Sequence, residues 1–393
     1  MPAGLLLTLA VFVVGVDSYI VAAVLPEVAD DLGESIGAVG LLASAYALPT
    51  AILAPIFGPL SDRRGRRFAL LLGLTIFATA AGACVVAPTL PLLLAARAIN
   101  GVGAAILLPG AFAWAGDLPG EEERGRAMAL LSGAFPLSNL LGLPIGALAT
   151  SLAGWRAPFA LIALLAVVVI VGVARSRIPS RQVPTTATYA KTFRRVLGDR
   201  RALQVMTVTV VWFSGAIGLF VYVGEFIHQA FGVPTEQAGL AYLVVGVVGI
   251  VAARTSGLVL HRLGPRRTVL IGVGLFTGAA FALPLTTAAL PLAIGVMAIW
   301  AFGTWFGVPG LQTIIAGLSS TARGTMLAFN GSAINLGGTI GPIITGRLIE
   351  AGGFAIAGPW SALLGATAFV IALRVLPRRN ADPQPSEALR PAA

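Results

Sequence analysis

Long apolar runs separated by short charged turns repeat along the whole chain, and their spacing predicts hydrophobic helices from end to end. A bilayer core takes about twenty apolar residues per crossing. Twelve runs of that order fall at approximately 4–25, 37–57, 68–87, 91–115, 127–150, 157–174, 203–226, 238–258, 268–287, 291–316, 325–349 and 359–376. The longest polar segment, Arg175 to Arg201, is rich in Arg, Thr and Pro and divides the chain into two halves of six spans. The expected organisation is a six-helix bundle over 1–175, a cytoplasmic linker over 176–202, a second bundle over 203–376 and a disordered cytoplasmic tail over 377–393.

Composition agrees with an all-α membrane protein. Of 393 residues, 57% are hydrophobic and 11% charged, where a soluble chain carries about a quarter charged residues. Forty-eight glycines and twenty-five prolines suit membrane helices, in which neighbours re-satisfy freed backbone groups and small residues allow close contact. The net charge of +10 does not point to nucleic acid, because the basic residues sit in alternate short loops. That distribution predicts cytoplasmic N- and C-termini in a bacterial inner membrane. The opposite face keeps little beyond Arg156 and Arg347, with Glu27, Asp30, Asp31, Glu34, Glu225, Glu236 and Glu350. The first run lacks a basic flank and a small-residue cleavage site, so it reads as a retained span. The one cysteine, Cys84, lies in an apolar run and reads as core.

The halves repeat. Gly58-Pro-Leu-Ser-Asp62-Arg63-Arg64-Gly65-Arg66-Arg67 returns 199 positions later as Gly257-Leu-Val-Leu-His261-Arg262-Leu-Gly264-Pro-Arg266-Arg267. At the same offset Arg124-Gly125 matches Arg323-Gly324, Gly142 matches Gly341, and Pro55 matches Arg254. Six spans per half is an even number, so both copies share one orientation.

At these residues the chain resembles a major facilitator superfamily transporter along essentially its whole length. The Gly58–Arg67 loop is similar to the superfamily's loop 2–3 signature, and Arg97-Ala-Ile-Asn100-Gly101-Val-Gly103 resembles its second motif, a membrane-embedded arginine followed by glycines. Gly142-Leu-Pro144-Ile-Gly146 is similar to the antiporter motif of drug:proton exporters, with a leucine between the usual Gly-Pro pair. Gly154-Trp155-Arg156 and the stretch from Phe329-Asn330 to Gly341-Pro342 look like the twelve-span drug or sugar-chloramphenicol efflux branch. The resemblance implies two bundles about an axis along the membrane normal, with a substrate site at mid-depth between them. It also implies a gating latch at Gly58, Asp62, Arg63, Gly65 and Arg67. Tight helix contact at Gly142, Pro144, Gly146, Gly341 and Pro342 would limit proton leak.

Ionisable residues inside spans cost roughly 2.5–3.5 kcal/mol on insertion scales, which makes each a functional candidate. Asp17 in span 1 and Arg97 in span 4 come to comparable depth, and the expectation is that Asp17 carries the coupling proton or meets a cationic substrate while Arg97 tunes it. Two structural alternatives stay open: a permanent Asp17–Arg97 pair, or an Asp17 capped by Ser18 and Tyr19. By resemblance, spans 1, 4, 7 and 10 wall the cavity. They offer Tyr19, Phe112, Trp114, Trp212, Phe213, Phe220, Tyr222, Trp300, Trp305 and Gln312, aromatic residues with few polar groups that suit a moderately apolar substrate. Asn139, Asn330 and Asn335 read as interhelical hydrogen-bonding residues.

Asp30-Asp31-Leu-Gly-Glu34 has no second acidic cluster to hold a metal with it. No Gly-Lys-Ser/Thr phosphate loop is present either. The expected function is therefore secondary transport without enzymatic activity, metal or cofactor, driven by a proton gradient. The partners are a small-molecule substrate, protons and the lipid bilayer, with no nucleic acid, and the expected state is a monomer. Proton-coupled efflux of a drug-like or natural-product molecule is the favoured direction; the alternative is an uptake symporter or a sugar or metabolite exporter of the same fold.

Overall fold

A computed structural model describes residues 3–176, 194, 196–233, 235–319 and 323–377, and of residues 3, 58–63, 136, 235–240 and 323–324 the backbone alone. The described chain is built from helices: α1 (Ala3–Leu32), α2 (Ile36–Arg64), α3 (Arg66–Val86), α4 (Leu90–Gly116), α5 (Glu121–Ala153) and α6 (Arg156–Arg175) in the first half. The second half holds α7 (Arg200–Val221), α8 (Val223–Phe231), α9 (Thr235–Leu263), α10 (Pro265–Ala282), α11 (Leu290–Gly317), α12 (Arg323–Gly352) and α13 (Phe354–Val375). Of the expected linker, residues 176, 194 and 196–202 are described, and α7 already begins within it at Arg200; of the expected tail only Pro377 is described.

Among the described residues eleven helices are long and apolar enough to cross a membrane. The remaining long helix, α12, has 30 residues but carries Asn330, Asn335 and Arg347 among glycines. Its place explains its composition: it packs closely on both α2 and α7, between the halves, so less of its surface needs to be greasy. Elsewhere the helices turn large aliphatic side chains outward, as at Leu164, Val168 and Leu258. Such a girdle belongs in lipid rather than water.

The helices overrun the predicted spans because their charged ends continue as regular helix past the apolar stretch. The clearest case is the loop expected at Gly58–Arg67. Instead α2 continues to Arg64, and a single residue, Gly65, separates it from α3. Gly65 ends one helix and starts the next at φ 93°, ψ 147°, a conformation open to glycine. Gly264 repeats the device between α9 and α10 at φ 76°, ψ 155°. Span 7 also differs from its expected single helix. It breaks at Tyr222, whose φ of −104° and ψ of 7° separate α7 from α8.

The sequence repeat is a repeat of packing. In the first half α1 lies on α5, α2 on α4, α3 on α4 and α6; in the second α7 lies on α12, α9 on α11, α10 on α11 and α13. Arg67 donates to the Ala174 carbonyl, and at the matching positions Arg266 donates to the Leu373 carbonyl at 2.8 Å. Gly142 faces Val16, and Gly341 faces Ser214 and Gly218. At Gly341 a Cβ would stand 2.2 Å from the Ser214 carbonyl oxygen, a backbone atom that cannot swing aside. Gly341→Ala is therefore expected to lower stability by about 1–3 kcal/mol through overpacking. Gly125→Ala, which meets nothing within 4 Å, should leave the thermal midpoint unchanged in the same melting experiment.

The halves meet through α2–α12 and α5–α9. From the face that carries the α1–α2 turn, Gly37 lies against Gly346 and Gly40 against Tyr222. Further in, the Ser44 hydroxyl donates to the Thr339 carbonyl at 2.8 Å, and Gly338 approaches Ala47. At about mid-depth Gly246 of α9 rests on Leu140 of α5. Tyr242 ties the same face: its hydroxyl donates to the Ala22 carbonyl across the seam at 3.0 Å and accepts from Gly224 N–H at 2.9 Å. That N–H is available because the α7–α8 break leaves it at the start of a helix.

Candidate functional site

Asp17 and Arg97 meet inside the first bundle. Arg97 Nη1 donates to Asp17 Oδ1 at 2.8 Å and Oδ2 at 2.7 Å, and Nη2 reaches the Asp17 carbonyl oxygen at 3.3 Å. Both side chains are 0% exposed. The guanidinium carbon lies 4.7 Å from the centre of the Tyr46 ring and 5.9 Å from that of Phe159, so α2 and α6 enclose the charge that α1 and α4 supply. Such ring faces attract a desolvated cation. Asn100, one turn along α4, approaches Nη1 at 3.5 Å and donates to the Phe77 carbonyl at 3.1 Å. Arg97 Nε has no partner among the described residues.

Successive helix residues point about 100° apart, and here that separates three roles on α1. Asp17 faces α4. The Ser18 hydroxyl bonds the Val14 carbonyl and the Tyr46 hydroxyl, at 2.8 and 3.0 Å, and does not cap Asp17. Tyr19 turns to the seam between halves, where it meets the Phe220 ring edge-on at 5.7 Å and lies within hydrogen-bonding reach of Asn139. Of the two structural alternatives, the ion pair is the one present.

The second half lacks this chemistry. Pro91 and Pro109 in α4 correspond to Pro291 and Pro309 in α11, which places Met297 opposite Arg97. At the 199-residue offset of the repeat, Asp17 corresponds to Ala216. The matching space holds no charged group and is lined by Leu219, Ala279, Ala280, Leu283, Val296 and Met297, with Trp300 at its side.

The expected cavity residues divide into groups. Tyr19, Phe220 and Trp300 come together at the seam, with Phe220 stacked on Trp300 at 5.7 Å and Tyr242 edge-on to Phe220 at 5.5 Å. Trp305 stands apart on α11, against Gly249 of α9. Trp212 is fully buried against Gly307 within the second half, beside Phe213. Tyr222 is fully buried too, its hydroxyl donating to the Pro342 carbonyl at 2.9 Å. Trp114 is buried in the first half's core, Phe112 packs partly buried on the core, and Gln312 is exposed.

In the charged turn, Arg66 pairs with Asp117 at the end of α4 at 2.7 Å, and Arg67 holds the end of α6. The side chains of Asp62 and Arg63, with Gly58, lie outside the described residues. Gly142 and Gly146 let α5 close onto Val16 and Ile20 of α1, while partly buried Pro144 lies between them. Gly341 and Pro342 serve α7 instead. The motif glycines thus build two tight helix pairs, one per half, rather than one pair. Asn330 accepts from the Thr209 hydroxyl of α7 at 2.8 Å, an interhelical bond, whereas Asn335 donates to Gly331 in its own helix.

Sequence reasoning missed Tyr46 and Phe159 around the ion pair and Tyr242 at the seam, and it placed Asn100 only in the motif that follows Arg97. Their signal was weak: an aromatic or amide residue in an apolar run has no address until the helices are packed.

Comparison with known proteins places this geometry. The family model described as Major Facilitator Superfamily matches residues 7–321. The uncharacterized MFS-type transporter YwfA of Bacillus subtilis (strain 168) is 28% identical over 94% of this chain and 90% of its own length. A chloramphenicol resistance protein of Streptomyces lividans is 29% identical over 67% of this chain and 66% of its length. The multidrug transporter protein MdtP of Bacillus subtilis is 25% identical over 88% and 61%. Among solved structures, a D-xylose-proton symporter superposes with a TM-score of 0.76 at 18% identity, over 95% of this chain and 97% of that one; at that identity the likeness is one of fold. The chain is a multi-span membrane transporter and belongs to the Major Facilitator Superfamily.

Proposed function

We propose that the protein exports a small, moderately apolar molecule from the cytoplasm across the bacterial inner membrane in exchange for protons, by alternating access, with both termini cytoplasmic. The observation that carries this reading is the Asp17–Arg97 pair: a carboxylate and a guanidinium with no exposed surface, present in one half and replaced by Ala216 and Met297 in the other. Symmetric helix packing needs no such pair, and burying charge away from water is costly. A carboxylate that alternates between an arginine partner and a proton gives that cost a use. Export is supported by the named activities of the chloramphenicol resistance protein and MdtP relatives. The aromatic group of Tyr19, Phe220 and Trp300 at the seam suits an apolar cargo. In this reading the contacts from Gly37 to Ala47 form the outer gate, and Asp62 and Arg67 belong to the inner one.

A growth-inhibition panel in a host lacking its own exporters tests it. Wild type is expected to raise the tolerated concentration of at least one apolar antibiotic or dye several-fold, and Asp17→Asn to remove that protection at equal expression. No protection by the wild type, together with gradient-driven accumulation of a nutrient in vesicles, would overturn export.

A further inference from the structure

Asn139 sits on α5 at the seam, 4% exposed, and its carbonyl oxygen Oδ1 has no hydrogen-bond partner among the described residues. It borders a narrow void whose other walls, Gly246, Gly249, Ile250 and Trp305, all come from the second half. Buried carbonyl oxygens are almost always satisfied, and leaving one bare is costly. The two glycines shape the space. A Cβ on Gly246 would meet the Leu140 backbone at 2.7 Å, and one on Gly249 would meet the Trp305 ring at 2.7 Å. Their bare backbone lets α5 approach and lets the indole lie flat against α9. The amide lies within reach of the Tyr19 hydroxyl, which links the void to the aromatic group of Phe220 and Trp300.

We infer that Asn139 is a substrate-recognition residue, whose Oδ1 accepts a hydrogen bond from an N–H or O–H at the end of a flat aromatic molecule lying beside Trp305. This rests on the transport reading above and adds the chemistry of the cargo. The void takes only a small polar group in this conformation, so the subsite grips one end of the molecule and the rest lies toward the seam. Binding would satisfy the bare oxygen, and a molecule without a donor would leave it unpaired. That asymmetry discriminates strongly between otherwise equal ligands.

Thionine and methylene blue provide the test. They share one flat cationic ring system and differ in carrying NH2 or N(CH3)2 groups. Calorimetric titration of the purified full-length protein is expected to show thionine binding about tenfold more tightly than methylene blue. Asn139→Ala, which keeps good helix propensity, should weaken thionine about tenfold and leave methylene blue unchanged. Gly249→Ala, whose added methyl would stand 2.7 Å from the Trp305 ring at the wall of the void and leaves Asn139 itself unchanged, should weaken thionine likewise. Equal binding of the dyes, binding of neither, or thionine affinity that survives Asn139→Ala would overturn the assignment. So would a gain in methylene blue affinity in that variant, because it would show steric exclusion rather than hydrogen bonding. Preferential thionine binding by a wild type that gives its host no protection in the growth panel would remove export and leave the subsite standing.

Discussion

Arg97→Met is expected to lower stability by about 3–5 kcal/mol and to abolish transport, while adding Asp17→Ala should restore most of the stability and none of the coupled transport. The first effect follows from burial. Asp17 is 0% exposed and both its oxygens are taken by one guanidinium nitrogen, so removing the arginine leaves a carboxylate with neither water nor partner. The second follows from the fold itself. The second half fills the same positions with Ala216 and Met297, and its surroundings there are apolar. Replacing a buried ion pair by well-packed apolar groups is often neutral or stabilising. Cys84, buried in α3, offers a thiol whose labelling on heating reports unfolding. A single variant melting roughly 4–6 °C below wild type and a double variant close to it would match these energies for a chain of 393 residues. A double variant as unstable as the single would show that the first half cannot accept the second half's solution.

Gly40→Leu should shift the protein toward the state open on the face that carries the α1–α2 turn, the outward face in the orientation proposed above. A Cβ at Gly40 would stand 1.9 Å from the Tyr222 hydroxyl oxygen, and one at Gly346 2.3 Å from it. The tyrosine cannot step aside cheaply, because its ring is fully buried and its hydroxyl is held by the Pro342 carbonyl. The clash exists only while α2 and α12 are closed together, so it penalises one state and not the other, which is what moves a two-state equilibrium. A closed state favoured by a few kcal/mol would be reversed. In a Cys84→Ser background with Ala47→Cys, labelling by a membrane-impermeant maleimide added outside should rise at least about tenfold on adding Gly40→Leu. An unchanged rate would mean that this seam does not limit access. Tyr242→Phe, which loses the bond to Ala22, should move labelling in the same direction by less.

Much of this was legible beforehand. The apolar runs, the charged turns and the 199-residue repeat located the helices, because hydrophobic length and glycine-broken turns are local properties. Gly65 and Gly264 even mark helix junctions to the residue. The span containing Tyr222 was read as one helix because nothing local signals its break; Tyr222 is held by Pro342, 120 positions away. Asp17 and Arg97 stood out because charge in an apolar run is rare. Their enclosure by Tyr46 and Phe159 could not be read, since those rings come from two other helices. The aromatic residues were harder still. Trp212 and Trp300 look alike in sequence, yet one fills the interior of the second half and the other stacks on Phe220 at the seam. Asn139 was read as a bonding residue between helices, and only the packing shows its oxygen left bare.

The decisive measurement is gradient-driven transport by the Asp17→Ala, Arg97→Met double variant in proteoliposomes, using the compound against which wild type protects best. With an imposed pH gradient, wild type should accumulate the compound uphill. The double variant should equilibrate it across the membrane without concentrating it, whatever the gradient. Uphill accumulation by a folded double variant would contradict a coupling role for Asp17 and reduce the pair to a structural feature of one half.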